Sequence, residues 1–226
     1  MTDKLSDLRQ TINQLDDDIL ALIRRRMELA ADIIAAKSDS VAYRPGREAE
    51  VVKRLIAAAP DMPAQLVANV WRQLMTASTS LQNGATRIAV HRGAMAVAGW
   101  HFGAMFPIEE CSDMAALQDM MGPEGPASFA LVPATCEAEL AAWLLADETV
   151  HVIAQTPLTG AESMPSVWML GRHPADQVGD ETSIIAHDSA SGPRISTRPG
   201  RVAAPLPDVP ERHRVIGVIA SAPLND

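Results

Sequence analysis

Two cations stand on an otherwise apolar stripe near the start of the chain. Leucine and isoleucine recur from Leu5 onward at alternating steps of three and four, and Arg26 occupies a position where this pattern calls for leucine. Lys37 follows on the same stripe. A guanidinium on a buried helix face is costly unless an anion or several hydrogen bonds compensate it. Arg26 therefore predicts an anionic ligand, a structural ion pair with Glu48 or an aspartate, or a side chain whose stem passes the stripe so that its charge reaches water. Lys37 alone also fits compensation of a helix dipole.

Further polar residues fall in the two helical segments that follow. Arg47 and Glu48 open the first of them, and Ser78 and Gln82 lie four residues apart near the end of the second, so that they share one face. These residues also have explanations that need no ligand. A glutamate such as Glu48 is favoured near a helix N-terminus, and residues such as Ser78 and Gln82 often face water. Together with the two stripe cations, they form a suitable lining for a small dianion.

Three helices must position these residues. Residues 5–37 contain neither glycine nor proline, so they predict a helix roughly 50 Å long. Residues 38–46 read as a loop, and helices are predicted over 47–59 and 63–81. Because neither shorter helix can cover the long one, we expect its partner to be the same helix of a second subunit.

One run combines the apolar spacing with the polar positions, and it comprises Leu8, Arg9, Ile12, Leu15, Asp16, Ile19, Leu20, Leu22, Ile23, Arg26, Glu28, Leu29, Ala30, Lys37, Arg47, Glu48 and Val51. This run resembles the all-helical class of chorismate mutases, including the mutase domain of bifunctional mutase/prephenate dehydratases. The resemblance covers about residues 5–83. It implies an intertwined homodimer of three-helix domains that rearranges chorismate to prephenate in aromatic amino-acid biosynthesis, with no cofactor and no metal.

The resemblance also implies catalytic roles for four residues of this sequence. Arg26 would grip a carboxylate of chorismate, and Lys37 would donate to the ether oxygen and a carboxylate. Glu48 would contact the ring hydroxyl, and Gln82 would donate to the ether oxygen.

Substrate-binding roles are implied for three more residues. Arg9 would be supplied by the partner subunit to the second carboxylate, while Arg47 and Ser78 would lie near the substrate. One position departs from the family pattern, because Arg44 stands where some relatives place an aspartate that contacts the hydroxyl.

The second part of the chain differs in composition and predicts another domain. All three lysines precede residue 84 and all six histidines follow it, and residues 84–226 carry the whole net charge of −9. We therefore divide the chain into a helical domain, residues 1–84, and a small α/β domain, residues 85–226. Short apolar runs alternate with helical segments from residue 86, whereas residues 189–210 read as a long loop with room for one short strand.

Part of this α/β region resembles the substrate domain of prephenate dehydratases, which is built like a periplasmic binding protein. The likeness rests on His101-Phe102-Gly103, the helix start at 112–117 and the run 130–133. Residues 134–136, Ala-Thr-Cys, replace the family's Glu-Asn-Ser, and residues 166–168, Ser-Val-Trp, replace its catalytic Thr-Arg-Phe. We therefore expect a degenerate domain without dehydratase activity.

Composition disfavours several other classes of protein. The chain has no basic face for nucleic acid, no apolar run long enough for a membrane span, and two cysteines, Cys111 and Cys136, without metal-ligand spacing. We expect a cytoplasmic protein. Two alternatives to the mutase stay open: an isochorismate pyruvate-lyase on the same scaffold, and a non-catalytic sensor of an aromatic metabolite that the helical domain dimerises.

Overall fold

The first part of the chain forms three helices close to those predicted. The computed structural model describes residues 2–35, 43–82, 86–158, 164–209 and 212–221. Helix α1 spans Thr2–Ala35, α2 spans Pro45–Ala58 and α3 spans Ala64–Gln82. Helix α2 begins two residues earlier than predicted because Pro45 is well suited to a first helical turn, where its missing N–H costs nothing.

The apolar stripe of α1 is largely uncovered in the single chain. Helix α1 packs mainly on α3, near the carboxyl end of both helices. Along the rest of α1 the apolar side chains remain about half exposed, namely Leu5, Leu8, Ile12, Leu15, Ile19, Leu20, Leu22, Leu29 and Ile33. None of the helices in the described ranges is long and apolar enough to cross a membrane.

The second part is a mixed sheet with helices on both faces. Its helices are α4 (Met95–Phe102), α5 (Met114–Met121) and α6 (Glu137–Ala146). Its strands are β1 (Ile88–His91), β2 (Ile108–Cys111), β3 (Phe129–Pro133), β4 (His151–Thr156), β5 (Val167–Gly171), β6 (Glu181–His187), β7 (Arg194–Pro199) and β8 (His213–Ala220). This confirms the predicted layout of a helical region followed by an α/β region.

The eight strands form one sheet in the order β2-β1-β3-β5-β4-β8-β6-β7. Strand β1 pairs in parallel with β2 and β3, β5 runs antiparallel between β3 and β4, and β8 pairs in parallel with β4. Strands β6 and β7 complete the sheet with antiparallel pairing.

Alternate residues of the central strands enter two separate cores, as the two-residue repeat of a strand requires. On one face, Ala130 and Val132 of β3 pack with Leu117 of α5 and Leu144 of α6. On the other face, Leu131 packs with the α4 side chains and with Tyr43 from the helical region. The second core therefore includes a residue from each part of the chain.

Two short strands stand apart from the main predictions: β2 was not predicted, and β7 is the one short strand for which residues 189–210 left room. Strand β2, Ile-Glu-Glu-Cys, was not predicted because two of its four residues are acidic. Strand β7 lies inside the segment predicted as a long loop, and Arg194, Arg198 and Pro199 suit it to the sheet edge, where one side of the backbone needs no partner strand.

The helical and α/β parts are packed against each other. Helix α2 lies on β4 and β8, and α3 lies on α4. Lys53 of α2 forms an ion pair with Asp180 at 3.2 Å. The approach is close at Gly46, where a Cβ atom would lie 2.9 Å from Cγ1 of Val178, so that a larger residue there would force the two parts to shift.

Candidate active site

Arg26 points from α1 onto the end of α3. Its Nη1 donates hydrogen bonds to the Leu74 carbonyl at 3.2 Å and to the Ser78 hydroxyl at 2.7 Å. Ser78 is buried, so it lines this contact and does not face water. Both acceptors are neutral, and within the described ranges no carboxylate lies within 4.0 Å of the guanidinium. Among the described residues, Arg26 therefore forms no ion pair with Glu48 or an aspartate, and no counter-ion lies at contact distance from its charge.

Glu48 is held in the acid form by its surroundings. Desolvation raises the pKa of its carboxyl from 4.5 to about 8, although the positive charges of Arg72 and Arg26 act to lower it. The side chain is partly buried in the crowded angle between α2 and the α/β region. A carboxyl that keeps its proton at neutral pH can donate a hydrogen bond as well as accept one.

A second arginine, Arg72 of α3, lies beside this carboxyl, and the sequence analysis did not single it out. It is buried, and its guanidinium lies over the ring of Trp100 at 3.6 Å from the ring centre. It also donates to Asn69 at 3.1 Å. Burial lowers the pKa of Arg72 to about 10, so it stays charged at neutral pH. The ring that stacks on it comes from α4 of the α/β domain.

A buried hydrogen-bonded chain joins the two domains next to Glu48. The Tyr43 hydroxyl lies 3.2 Å from His101 Nε2, and His101 Nδ1 lies 2.8 Å from the Thr156 hydroxyl. Burial, and secondarily the charge of Arg72, lowers the pKa of His101 to about 3, so the ring is neutral, with one nitrogen donating and the other accepting. Burial also raises the pKa of Tyr43 well above its usual value. These residues are far apart in sequence, so no local pattern indicated the chain.

The other predicted site residues are Arg47, Arg9, Lys37 and Gln82. Arg47 is exposed and pairs with Glu50 at 3.2 Å rather than facing Glu48. Arg9 is exposed on α1, and at a rise of about 1.5 Å per residue it lies about 25 Å from Arg26. Lys37 and the side chain of Gln82 lie outside the described residues.

Arg44 has a partner in the α/β domain. Its Nε lies 3.5 Å from Oδ2 of Asp176, and it points to the side of α2 where a cavity lies between the two domains. Arg44, which stands where some relatives have an aspartate, thus forms an ion pair with an acidic residue of the second domain.

The arrangement can bind an anion beside a proton-bearing carboxyl. Within the described ranges no carboxylate contacts the guanidinium of Arg26, and the Ser78 hydroxyl accepts a hydrogen bond from it. Glu48 is near enough for the charge of Arg26 to lower the pKa of its carboxyl. Such a set suits a substrate that carries carboxylate and hydroxyl groups.

Comparison with known proteins gives one match. Residues 8–83 match the family model of Chorismate mutase type II, and this segment includes Arg9, Arg26, Arg47, Glu48 and Ser78. No curated protein and no solved structure matches the chain significantly. The chain thus joins a helical region that matches the chorismate mutase type II model to a mixed sheet with helices, and the match supports chorismate mutase activity.

Proposed function

We propose that the protein is a chorismate mutase that rearranges chorismate to prephenate and acts as a homodimer. One observation carries the proposal: among the described residues, Arg26 of the matched segment donates hydrogen bonds to the neutral acceptors Leu74 and Ser78 and contacts no carboxylate, although its charge lowers the pKa of nearby Glu48. A partly buried cation without a contacting anion is stabilised by an anionic substrate.

The reaction is unimolecular and needs neither a nucleophile nor a proton transfer. The site has to hold the enolpyruvyl side chain over the ring and to stabilise negative charge on the ether oxygen as the C–O bond breaks. We assign one substrate carboxylate to Arg26 and the ring hydroxyl to Glu48. Lys37 and Gln82 are proposed to donate to the ether oxygen.

The dimer follows from α1. Its half-exposed apolar stripe is long enough for a second α1 to cover, and Arg9 lies too far from Arg26 to serve the same site within one chain. We therefore propose that Arg9 of one subunit completes the site of the other, with Arg47 near the substrate once the dimer forms.

The α/β domain is proposed to support the mutase site without its own catalysis. Trp100 and His101 of α4 hold Arg72 and Tyr43, which adjoin Glu48. The likeness of residues 85–226 to a degenerate prephenate dehydratase domain stays a prediction. Release of phenylpyruvate from prephenate at neutral pH would contradict it.

The test is loss of chorismate absorbance with the purified full chain, followed by chromatographic identification of the product. Prephenate is expected, and Arg26→Ala should slow its formation by at least about 100-fold. Salicylate and pyruvate from isochorismate, without prephenate from chorismate, would favour the lyase. No turnover of either substrate would favour the sensor.

A further inference from the structure

A separate cavity lies where the start of α2 meets the α/β domain. It has a volume of about 360 Å³, within the range of small-molecule sites. Its apolar side includes Tyr43, Phe129 and Ile153, with the two aromatic rings in edge contact at 5.0 Å between centres. Its lining includes Tyr43 but not His101, Arg26, Glu48 or Ser78.

The polar side of this cavity is positively charged. Arg44 and Arg172 line it, against one carboxylate, Asp176. Two guanidinium groups facing one carboxylate leave a net positive charge, which favours an anion.

Among the described residues, hydrogen bonds to protein atoms leave N–H groups of both arginines available. The Nε of Arg44 is buried and, among the described residues, makes no hydrogen bond, because Asp176 at 3.5 Å is too poorly placed to accept one. Arg172 donates from Nη2 to the carbonyl of Gly122, which occupies one of its five N–H groups. A buried donor without an acceptor is costly, and a bound carboxylate would supply the missing acceptor.

We propose that this cavity binds a small organic carboxylate, with the carboxylate on Arg44 and Arg172 and an apolar or aromatic body against Tyr43, Phe129 and Ile153. The aromatic wall and the volume favour an organic anion over an inorganic one. Of the residues given catalytic roles, those that the structure describes do not line this cavity, so its test needs no turnover.

The test is isothermal titration of the full chain with phenylacetate, and with its neutral amide phenylacetamide as the matched ligand. We expect phenylacetate to bind with a Kd of about 1 mM, as the size of the ligand allows, and the amide to bind at least about tenfold more weakly. Arg172→Gln should weaken binding of phenylacetate about tenfold. The exposed Arg212, which pairs with Asp188, provides the control Arg212→Gln, which should bind like the parent.

Asp176→Asn is a second variant, chosen because its expected result differs from the loss of binding that misfolding would cause. Removing the competing carboxylate frees Arg44, so binding should become tighter, and misfolding cannot produce that result. Arg26→Ala should leave the affinity unchanged if the cavity is the site. The proposal is overturned if phenylacetate gives no heat up to about 10 mM, if the amide binds equally well, or if Arg26→Ala rather than Arg172→Gln removes binding.

Discussion

Replacing Glu48 with glutamine should make the protein more stable at alkaline pH and leave it little changed at acid pH. Desolvation raises the pKa of this carboxyl from 4.5 to about 8. The folded protein therefore holds the proton more tightly than the unfolded chain does. It follows that the free energy of unfolding falls as the pH rises from about 4.5 to about 8. The glutamine variant lacks this titration.

The size of the effect follows from the shift. One pKa unit corresponds to about 1.4 kcal/mol, so a shift of this size has an upper bound of about 5 kcal/mol, which partial solvent access reduces to about 2–4 kcal/mol. The charges of Arg26 on α1 and Arg72 on α3, with the hydroxyl of Tyr43 and the neutral ring of His101, are the ionisable groups around this carboxyl.

The assay is urea denaturation of the parent and of Glu48→Gln at several pH values between 5 and 9. The free energy of unfolding of the variant, relative to that of the parent, should increase across this range by about 2–4 kcal/mol. Glu110→Gln, at an exposed position of β2, is the control and should show no such trend. A difference that stays constant with pH, or that shrinks as the pH rises, would refute the assignment of a buried, protonated carboxyl.

Three further outcomes are expected. Arg26→Ala should lower kcat/KM for chorismate by at least about 100-fold. Its free energy of unfolding should stay within about 1 kcal/mol of the parent, because the hydrogen bonds lost, to Leu74 and Ser78, have neutral acceptors. Equal losses of stability and activity would indicate a structural role. His101→Phe should lower the free energy of unfolding, measured by denaturation, by about 1–3 kcal/mol, because the Tyr43 and Thr156 hydroxyls lose their buried partner. It should also lower kcat. His187→Phe, in β6, is the matched control. Ile19→Glu should give a monomer by light scattering without mutase activity, and a retained active dimer would contradict pairing through α1.

The helices were predictable because their physical cause is local. Apolar residues at steps of three and four, a proline at the first turn of α2 and the absence of glycine and proline from α1 give the three helices within about three residues. Arg26 was recognisable for the same reason, because a cation on an apolar stripe is an anomaly within one helix. Strand β2 was missed, and β7 was expected only as one short strand within a loop of unstated position, because four to six residues with acidic, basic or proline positions give no clear two-residue repeat.

The sequence alone therefore determined the helical domain, the anionic character of its expected ligand and the positions of Arg26, Glu48 and Ser78. Only the tertiary structure decided that Arg72 and Tyr43 adjoin Glu48, that Trp100 and His101 of the second domain hold them, and that Arg44 faces Asp176. The reason is that these contacts join residues up to more than a hundred positions apart. Helix periodicity reports the face that a residue occupies, but the neighbour across an interface is set by how the domains pack.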